Sequence, residues 1–214
     1  MNARFTRISV FALLVASGFW GPPAALASEL RNAVKANELD RVKALIRSGA
    51  NVNEKSYDGG PLTIAARQGN LEITSALIEA GADVEALDGA GRTAIIGAAC
   101  SSRGLGTLKI LLAAGANPLA NDEASHMNAL HWAASCGETA AVEALLAAGL
   151  DVNLKDGGYQ ETALHHAAAH ADLDMVRLLV AHGADINIAD KGGNTPTAIA
   201  RGTAKDLLES LGGK

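Results

Sequence analysis

A glycine followed by alanine or leucine recurs at Gly49, Gly81, Gly115, Gly149 and Gly183, at intervals of 32, 34, 34 and 34 residues. Behind each stands an N/D-V-N-like tripeptide: Asn51-Val52-Asn53, Asp83-Val84-Glu85, Asn117-Pro118-Leu119, Asp151-Val152-Asn153 and Asp185-Ile186-Asn187. Leu62, Ile95, Leu130, Leu164 and Thr197 head short alanine-rich segments at intervals of 33, 35, 34 and 33, a second marker on nearly the same beat. Two markers sharing one period of this length mean a single supersecondary unit used many times over.

Each period reads as two helices and a turn. Thr93, Asn128, Thr162 and Thr195 are placed to cap a helix by accepting a bond from an orphan amide. Pro61 and Pro196 fall at a first helical position, where a missing N–H costs nothing. The alanine pairs that follow (Ala65-Ala66, Ala98-Ala99, Ala133-Ala134 and Ala167-Ala168) let neighbouring helices approach closely. A second helix shows apolar residues at helical spacing, as in Val142, Leu145 and Leu146, and ends at the recurring glycine. Helices of about ten residues are marginal alone, so the units must bury their apolar faces on one another in a single stack.

The segments Thr162-Ala163-Leu164-His165-His166-Ala167-Ala168 and Gly183-Ala184-Asp185-Ile186-Asn187 carry a recognisable motif, T-P-L-H-x-A-A…G-A-D-V-N. So do Asn128-Ala129-Leu130-His131-Trp132-Ala133-Ala134. The chain resembles the ankyrin-repeat family over essentially all of residues 28–214. That resemblance implies an all-α solenoid of about six helix-turn-helix units joined by β-hairpin-like loops. The units expected are a cap at 28–55, fuller repeats at 56–87, 88–121, 122–155 and 156–189, and a second cap at 190–214. Gly60 replaces the usual threonine cap, Thr197 replaces the usual leucine, and the hairpins leading into Leu130 and Leu164 are one residue longer than that leading into Ile95.

Residues 1–27 read as a signal peptide rather than as part of the fold. Arg4 and Arg7 precede an uncharged, mostly apolar run from Ile8 to Trp20, and Pro22 and Pro23 break it. Ala25-Leu26-Ala27 then offers small residues where a signal peptidase reads them, so cleavage is expected between Ala27 and Ser28. The run is short for a bilayer span. Processing would take the net charge of -5 to -7, because the two arginines leave and no acidic residue does. No asparagine begins an N-x-Ser/Thr sequon, which suits a periplasm better than a glycosylating pathway.

Hydrophobic residues make up 49% of the chain and aromatics only 3%, so alanine, leucine, valine and isoleucine must build the core, a composition for packed helices rather than a sheet sandwich. An acidic chain repels phosphate backbones, which argues against nucleic acid. No nucleophile elbow, phosphate loop or zinc-hydrolase motif is present. Asp88-Gly89-Ala90-Gly91 and Asp190-Lys191-Gly192-Gly193 fall where the hairpins turn, which accounts for their glycines. His166 and His170, four apart with Asp172 and Asp174 close behind, could suggest a surface metal site, but two imidazoles with no fixed third ligand are a weak set. In the ankyrin family the motif histidine, here His131 and His165, hydrogen-bonds between turns. The expectation is therefore no enzyme, no metal and no cofactor.

Cys100 and Cys136 are the only cysteines and lie at the ends of the first helices of consecutive repeats. Export to an oxidising compartment permits a disulfide. Helix axes about 8–10 Å apart argue against it, since bridged Cα atoms sit about 4.4–6.8 Å apart. The unit from Ile95 to Gly115 argues for it: this span is 20 residues where its neighbours have 19, so the loop Ser101 to Gly106 could let Cys100 lean across.

The resemblance places a protein partner on the concave face, made of hairpin tips and exposed first-helix positions. The residues assigned there are Tyr57, Asp58, Ala90, Arg92, Met127, Tyr159 and Lys191 on the tips, and Arg67, Gln68, Ser101 and His170 on the helices. Trp132 has two open readings, a partner anchor or a filler of the helix interface. The function implied is a non-catalytic, monomeric protein-interaction module of the periplasm, free of the membrane after processing. The alternatives are an inhibitor or immunity protein against one enzyme, and an exported effector bound to a host protein.

Overall fold

The computed structural model describes residues 23–213, so Arg4, Arg7 and the Ile8 to Trp20 run lie outside the described residues. Twelve helices in six pairs fill the described chain. They are α1 (Pro23–Lys35) with α2 (Leu39–Arg47), α3 (Pro61–Arg67) with α4 (Leu71–Glu79), and α5 (Ala94–Ala99) with α6 (Leu105–Ala113). There follow α7 (Ala129–Ser135) with α8 (Thr139–Ala147), α9 (Ala163–Ala169) with α10 (Leu173–Ala181), and α11 (Pro196–Ile199) with α12 (Thr203–Ser210). The first helices pack in one row, α1 on α3 and so on to α11, and the second helices in another. The fold is the all-helical repeat solenoid that the period implied. Among the described residues no helix is long and apolar enough to cross a membrane.

Local sequence sets these boundaries. Pro61 and Pro196 begin α3 and α11, and α1 is described from Pro23 onward. The expected processing bond, Ala27–Ser28, therefore lies inside α1, where Ala27 is buried. Asn128 caps α7 by accepting from the amides of Leu130 and His131, and the Thr195 hydroxyl accepts from Ala198. Thr93 departs from the expectation: its hydroxyl is buried with no hydrogen-bond partner. Gly49, Gly81, Gly115, Gly149 and Gly183 take φ between +83° and +95°, and a Cβ on any of them would meet nothing. Backbone conformation alone thus demands glycine at the end of each second helix.

The core is a continuous layer of alanine, leucine, isoleucine and valine running through every pair. Both members of each alanine pair are buried, which lets the first helices approach with no larger side chain between them. Four hairpins close on one backbone bond apiece: Asp88 N–H to Arg92 O (2.9 Å), Asp122 to Met127 (3.0 Å), Asp156 to Glu161 (2.8 Å) and Asp190 to Asn194 (2.8 Å). The second and third of these are one residue longer, and each admits a left-handed non-glycine residue, His126 and Gln160.

Cys100 and Cys136 are joined by a disulfide, with Cα atoms 5.4 Å apart, well inside the spacing of helix axes. The extra residue after α5 goes with it. Between the helices of the other five pairs the chain turns on one positive-φ residue (Asn37, Gly69, Gly137, Ala171 or Gly202), whereas Ser101 to Gly104 contains none.

Candidate functional site

The face shared by hairpins and first helices is organised by an aspartate at the start of four hairpins. In each, one carboxylate oxygen binds turn amides. Asp88 Oδ1 accepts from Ala90 and Arg92 (2.9 and 3.0 Å), Asp122 Oδ1 from Ser125 and Met127 (3.2 and 2.9 Å), Asp156 Oδ1 from Gly158 and Gln160 (3.0 and 2.9 Å), and Asp190 Oδ1 from Gly192 and Asn194 (2.7 and 2.8 Å). The other oxygen is left for a side chain, and that side chain changes from repeat to repeat. Asp88 Oδ2 meets Arg92 Nε at 3.3 Å and an Arg67 guanidinium nitrogen at 3.9 Å. Asp122 accepts from the Ser125 hydroxyl, Asp156 Oδ2 lies 3.5 Å from His166 Nε2, and Asp190 Oδ2 accepts from Asn194 Nδ2 at 3.0 Å. These aspartates recur at an interval of 34 residues, a signal present in the sequence but read there only as repeat starts.

Charge varies along this face accordingly. At Asp88, two guanidiniums share one carboxylate and leave a net positive spot. At Asp156, the ligand atoms of Asp156, Glu161 and His166 all lie within 4.8 Å of one another. Burial first, and then the nearby His131, pushes His166 down to about 4, so its ring is neutral at neutral pH. Burial and repulsion from Asp156 and Asp190 push Glu161 upward. His131 and His165 are also lowered, chiefly by burial. The donor types would suit a divalent cation, but only one imidazole takes part and Asp156 is already held by the turn amides. The pair first suspected from sequence, His166 with His170, is not brought together: His170 faces the Ser135 hydroxyl instead, at 3.3 Å.

A cavity of about 260 Å³ opens beside the positive spot, lined among others by Arg67, Arg92, Thr93, Gly97, Cys100 and Trp132. Gly97 occupies the position held by Ile64, Trp132 and His166 in other repeats. A Cβ there would sit 3.4 Å from the Arg67 Cβ, so its absence leaves space that the neighbours only partly fill. The Arg92 guanidinium stacks 5.9 Å from the Trp132 ring centroid, and the half-buried indole has no partner for its N–H.

Of the assigned contact residues, Tyr57 and Tyr159 project furthest, at 88% and 72% exposure. Arg67, His170 and Lys191 are exposed, and Ala90, Arg92 and Ser101 are half-buried. Asp58 is paired with Lys35 and accepts from Ser56, which together hold its carboxyl well below the usual range. Gln68 is half-buried and donates to the Lys35 carbonyl at 3.0 Å, so it ties two repeats together rather than standing free. Met127 overturns its assignment. It is buried, because the longer hairpin moves it from the tip to the closing position.

A family profile described as ankyrin repeats (3 copies) matches residues 30–122, 62–156, 104–190 and 130–211, which together span almost the whole described chain. The chain belongs to the ankyrin-repeat family. Among curated proteins, this ankyrin chain is 42% identical over 74 residues to potassium channel KOR2 of Oryza sativa subsp. japonica, covering 34% of this chain and 10% of the channel. It is 35% identical over 86 residues to ankyrin repeat and SOCS box protein 6 of Mus musculus, covering 39% of this chain and 21% of that protein. The chain thus spans about a tenth to a fifth of these relatives. Ankyrin repeats imply a protein–protein interaction module, in a family that is generally non-catalytic.

Proposed function

We propose that the chain is a non-catalytic binding module of the periplasm that holds a protein partner on its concave face. The observation that carries this reading is the series of hairpins and first helices whose backbone is fixed by repeated aspartate turns while the outward side chains differ in every repeat. Tyr57 and Tyr159 stand out from that face as large, low-entropy aromatic anchors, and Arg67 and Arg92 beside the cavity can engage carboxylates. Rigid backbone with variable side chains suits recognition of one surface better than turnover of a substrate.

The periplasmic assignment rests on the signal-like segment and on the disulfide, a bond that persists in oxidising compartments. Processing between Ala27 and Ser28 would shorten α1 and keep Leu30, Ala33 and Val34, the residues that α1 contributes to the core. We read the processed chain as a monomer that needs no cofactor.

Photo-crosslinking side chains placed singly at Tyr57, Trp132 and Tyr159, with Lys109 and Glu143 on the second helices as controls, test the face directly. The expected result is one common adduct from the first three positions and none from the controls. Adducts from the second helices alone would place the partner elsewhere. Cell fractionation with intact-mass analysis checks the compartment, the expected product beginning at Ser28; an unprocessed chain in the cytosol defeats that assignment.

A further inference from the structure

The junctions between repeats are not equivalent in what crosses them. From 28–55 to 56–87, the Asn53 side chain accepts from the Asp83 amide at 2.7 Å and donates to Gly81 O at 3.0 Å. From 56–87 to 88–121, the Gly89 amide donates to Tyr57 O at 2.8 Å and the Asn117 amide to Glu85 Oε1 at 2.7 Å. From 122–155 to 156–189, Gly157 donates to His126 O at 2.9 Å and the Asp185 amide to Asn153 Oδ1 at 2.8 Å. From 156–189 to the last unit, Lys191 donates to Tyr159 O at 2.7 Å, and His165 Nε2 reaches Asn194 O at 3.2 Å.

The junction from 88–121 to 122–155 has none of these. Leu119 stands at the clamp position held by Asn53, Glu85 and Asn153, and is 52% exposed. Ile96 stands at the motif-histidine position held by His131 and His165. No hydrogen bond or ion pair between described residues crosses here; the directional links are the Arg92–Trp132 stack and the Cys100–Cys136 bond. The one disulfide in the described chain thus spans the one junction without polar ties.

We propose that the Cys100–Cys136 bond is a redox latch that couples the two halves of the solenoid, residues 23–121 and 122–213. Apolar packing continues across the junction, so each half keeps its own fold when the latch opens, but the halves then unfold separately. Because the cavity lined by Arg67, Arg92, Cys100 and Trp132 draws walls from both halves, opening the latch also breaks up that surface; this last consequence rests on the concave-face reading above. Both cysteines are half-buried and Cys100 lines the open cavity, so a small dithiol has access. One thiolate of the dithiol attacks a cysteine Sγ, giving a mixed disulfide and releasing the other cysteine as thiolate. The second thiolate of the dithiol then attacks its own bound sulfur, releasing the first cysteine and closing a cyclic disulfide. Two electrons pass to the protein, and its two sulfurs take up protons from solvent.

Hydrogen exchange by mass spectrometry on the full chain, with no partner present, tests the latch. Folded wild-type protein is compared before and after dithiothreitol treatment and alkylation, together with the C100S/C136S double variant. Amides of α5–α8 and of the intervening hairpin should exchange on the order of 100-fold faster after reduction, while α2 and α10 stay unchanged, and one denaturant transition should become two. A uniform acceleration of all repeats, no change at the junction, or a bond that native dithiothreitol cannot reduce would each overturn the proposal. Reduction of the folded wild type needs no mutation, so a double variant that fails to fold does not blunt the test. The readout involves no binding, so its failure leaves the partner face standing, and a failed crosslink leaves the latch standing.

Discussion

The junction between repeats 88–121 and 122–155 and the next one along, into repeat 156–189, bury the same kinds of helix and differ in what fastens them. The second uses motif residues. Asn153 clamps Asp185, His126 receives the Gly157 amide, and Ser135 meets His170. Beyond it the Nδ1 of His165 accepts from the Thr162 amide at 3.1 Å while its Nε2–H donates to Asn194 O. The first has Leu119 and Ile96 where those polar residues would stand, and a covalent bond in their place. In a linear stack the weakest interface sets where the array parts. A chain that gives up its polar ties at one interface therefore needs another fastening there, and an extra residue after α5 goes with the close approach of the two cysteines.

The largest expected effect breaks the covalent side of this comparison. Closing a loop of 36 residues stabilises by about 4 kcal/mol through the unfolded state, so replacing both cysteines by serine should lower unfolding free energy by about that much. Urea denaturation with and without reductant measures it. The same reductant should leave the double variant unchanged; a response there would mean the effect does not come from this bond.

Breaking the polar side should cost somewhat less. His165 is fully buried and uses both ring nitrogens, so His165→Ala leaves a cavity, a buried amide and an unmet carbonyl, a loss of about 3 kcal/mol. In the C100S/C136S background its destabilisation should appear as faster exchange in α9 to α12, with α1 to α4 unaffected. Equal loss at both ends would show the stack to be one cooperative block.

Acid separates the two regions by a different route. His131 and His165 are buried and His166 is half-buried; all three are neutral, each held below its ordinary value, His166 at about 4. Below about 6.5 the unfolded chain takes up protons at these positions, while the folded chain does so only at lower pH, near 4 at His166. The histidine contribution to stability should therefore fall as pH drops through that window, and protonation of the lowered Asp58 carboxyl carries the loss on beneath it. Exchange measured across this range should open the repeats from 122 onward first, since residues 23–121 contain no histidine. His166→Gln should flatten the profile; an unchanged slope would assign the acid sensitivity to other groups.

How much of this was legible in the sequence depends on the range of the interaction. Helix ends were readable because glycine after each second helix and proline before α3 and α11 act on their own backbone. The exposure of Tyr57 and Tyr159 followed from motif position alone. Met127 was misplaced because one added hairpin residue, accommodated by left-handed His126, turns the next side chain inward. Thr93 looked like a cap by residue type, yet capping depends on a rotamer that sequence does not specify. The disulfide was undecided because helix-axis spacing argued against it while the extra residue after α5 argued for it, and the 5.4 Å approach appears only in the folded chain. The carboxylates of Asp156 and Glu161 both come from one hairpin and meet His166 on the helix that follows it, and that approach depends on the path of the longer hairpin.

The smallest expected effect is also the sharpest, because it adds a tie instead of removing one. If Asn53 and Asn153 fasten their junctions through side-chain bonds to the next repeat, then Leu119→Asn should supply the same clamp where it is missing. An exposed hydrogen bond of this type contributes about 0.5–1.5 kcal/mol, and the exposed Leu119 has little packing to lose, so the sign should be stabilising. In the C100S/C136S background the gain has to appear at the 88–121/122–155 junction specifically, as slower exchange of the hairpin that follows. The mirror change, Asn153→Leu, should loosen the neighbouring junction by a similar amount. Were both substitutions neutral, the asparagine clamps would be surface decoration, the two junctions would differ only by the disulfide, and the account of why that bond sits where it does would lose its physical basis.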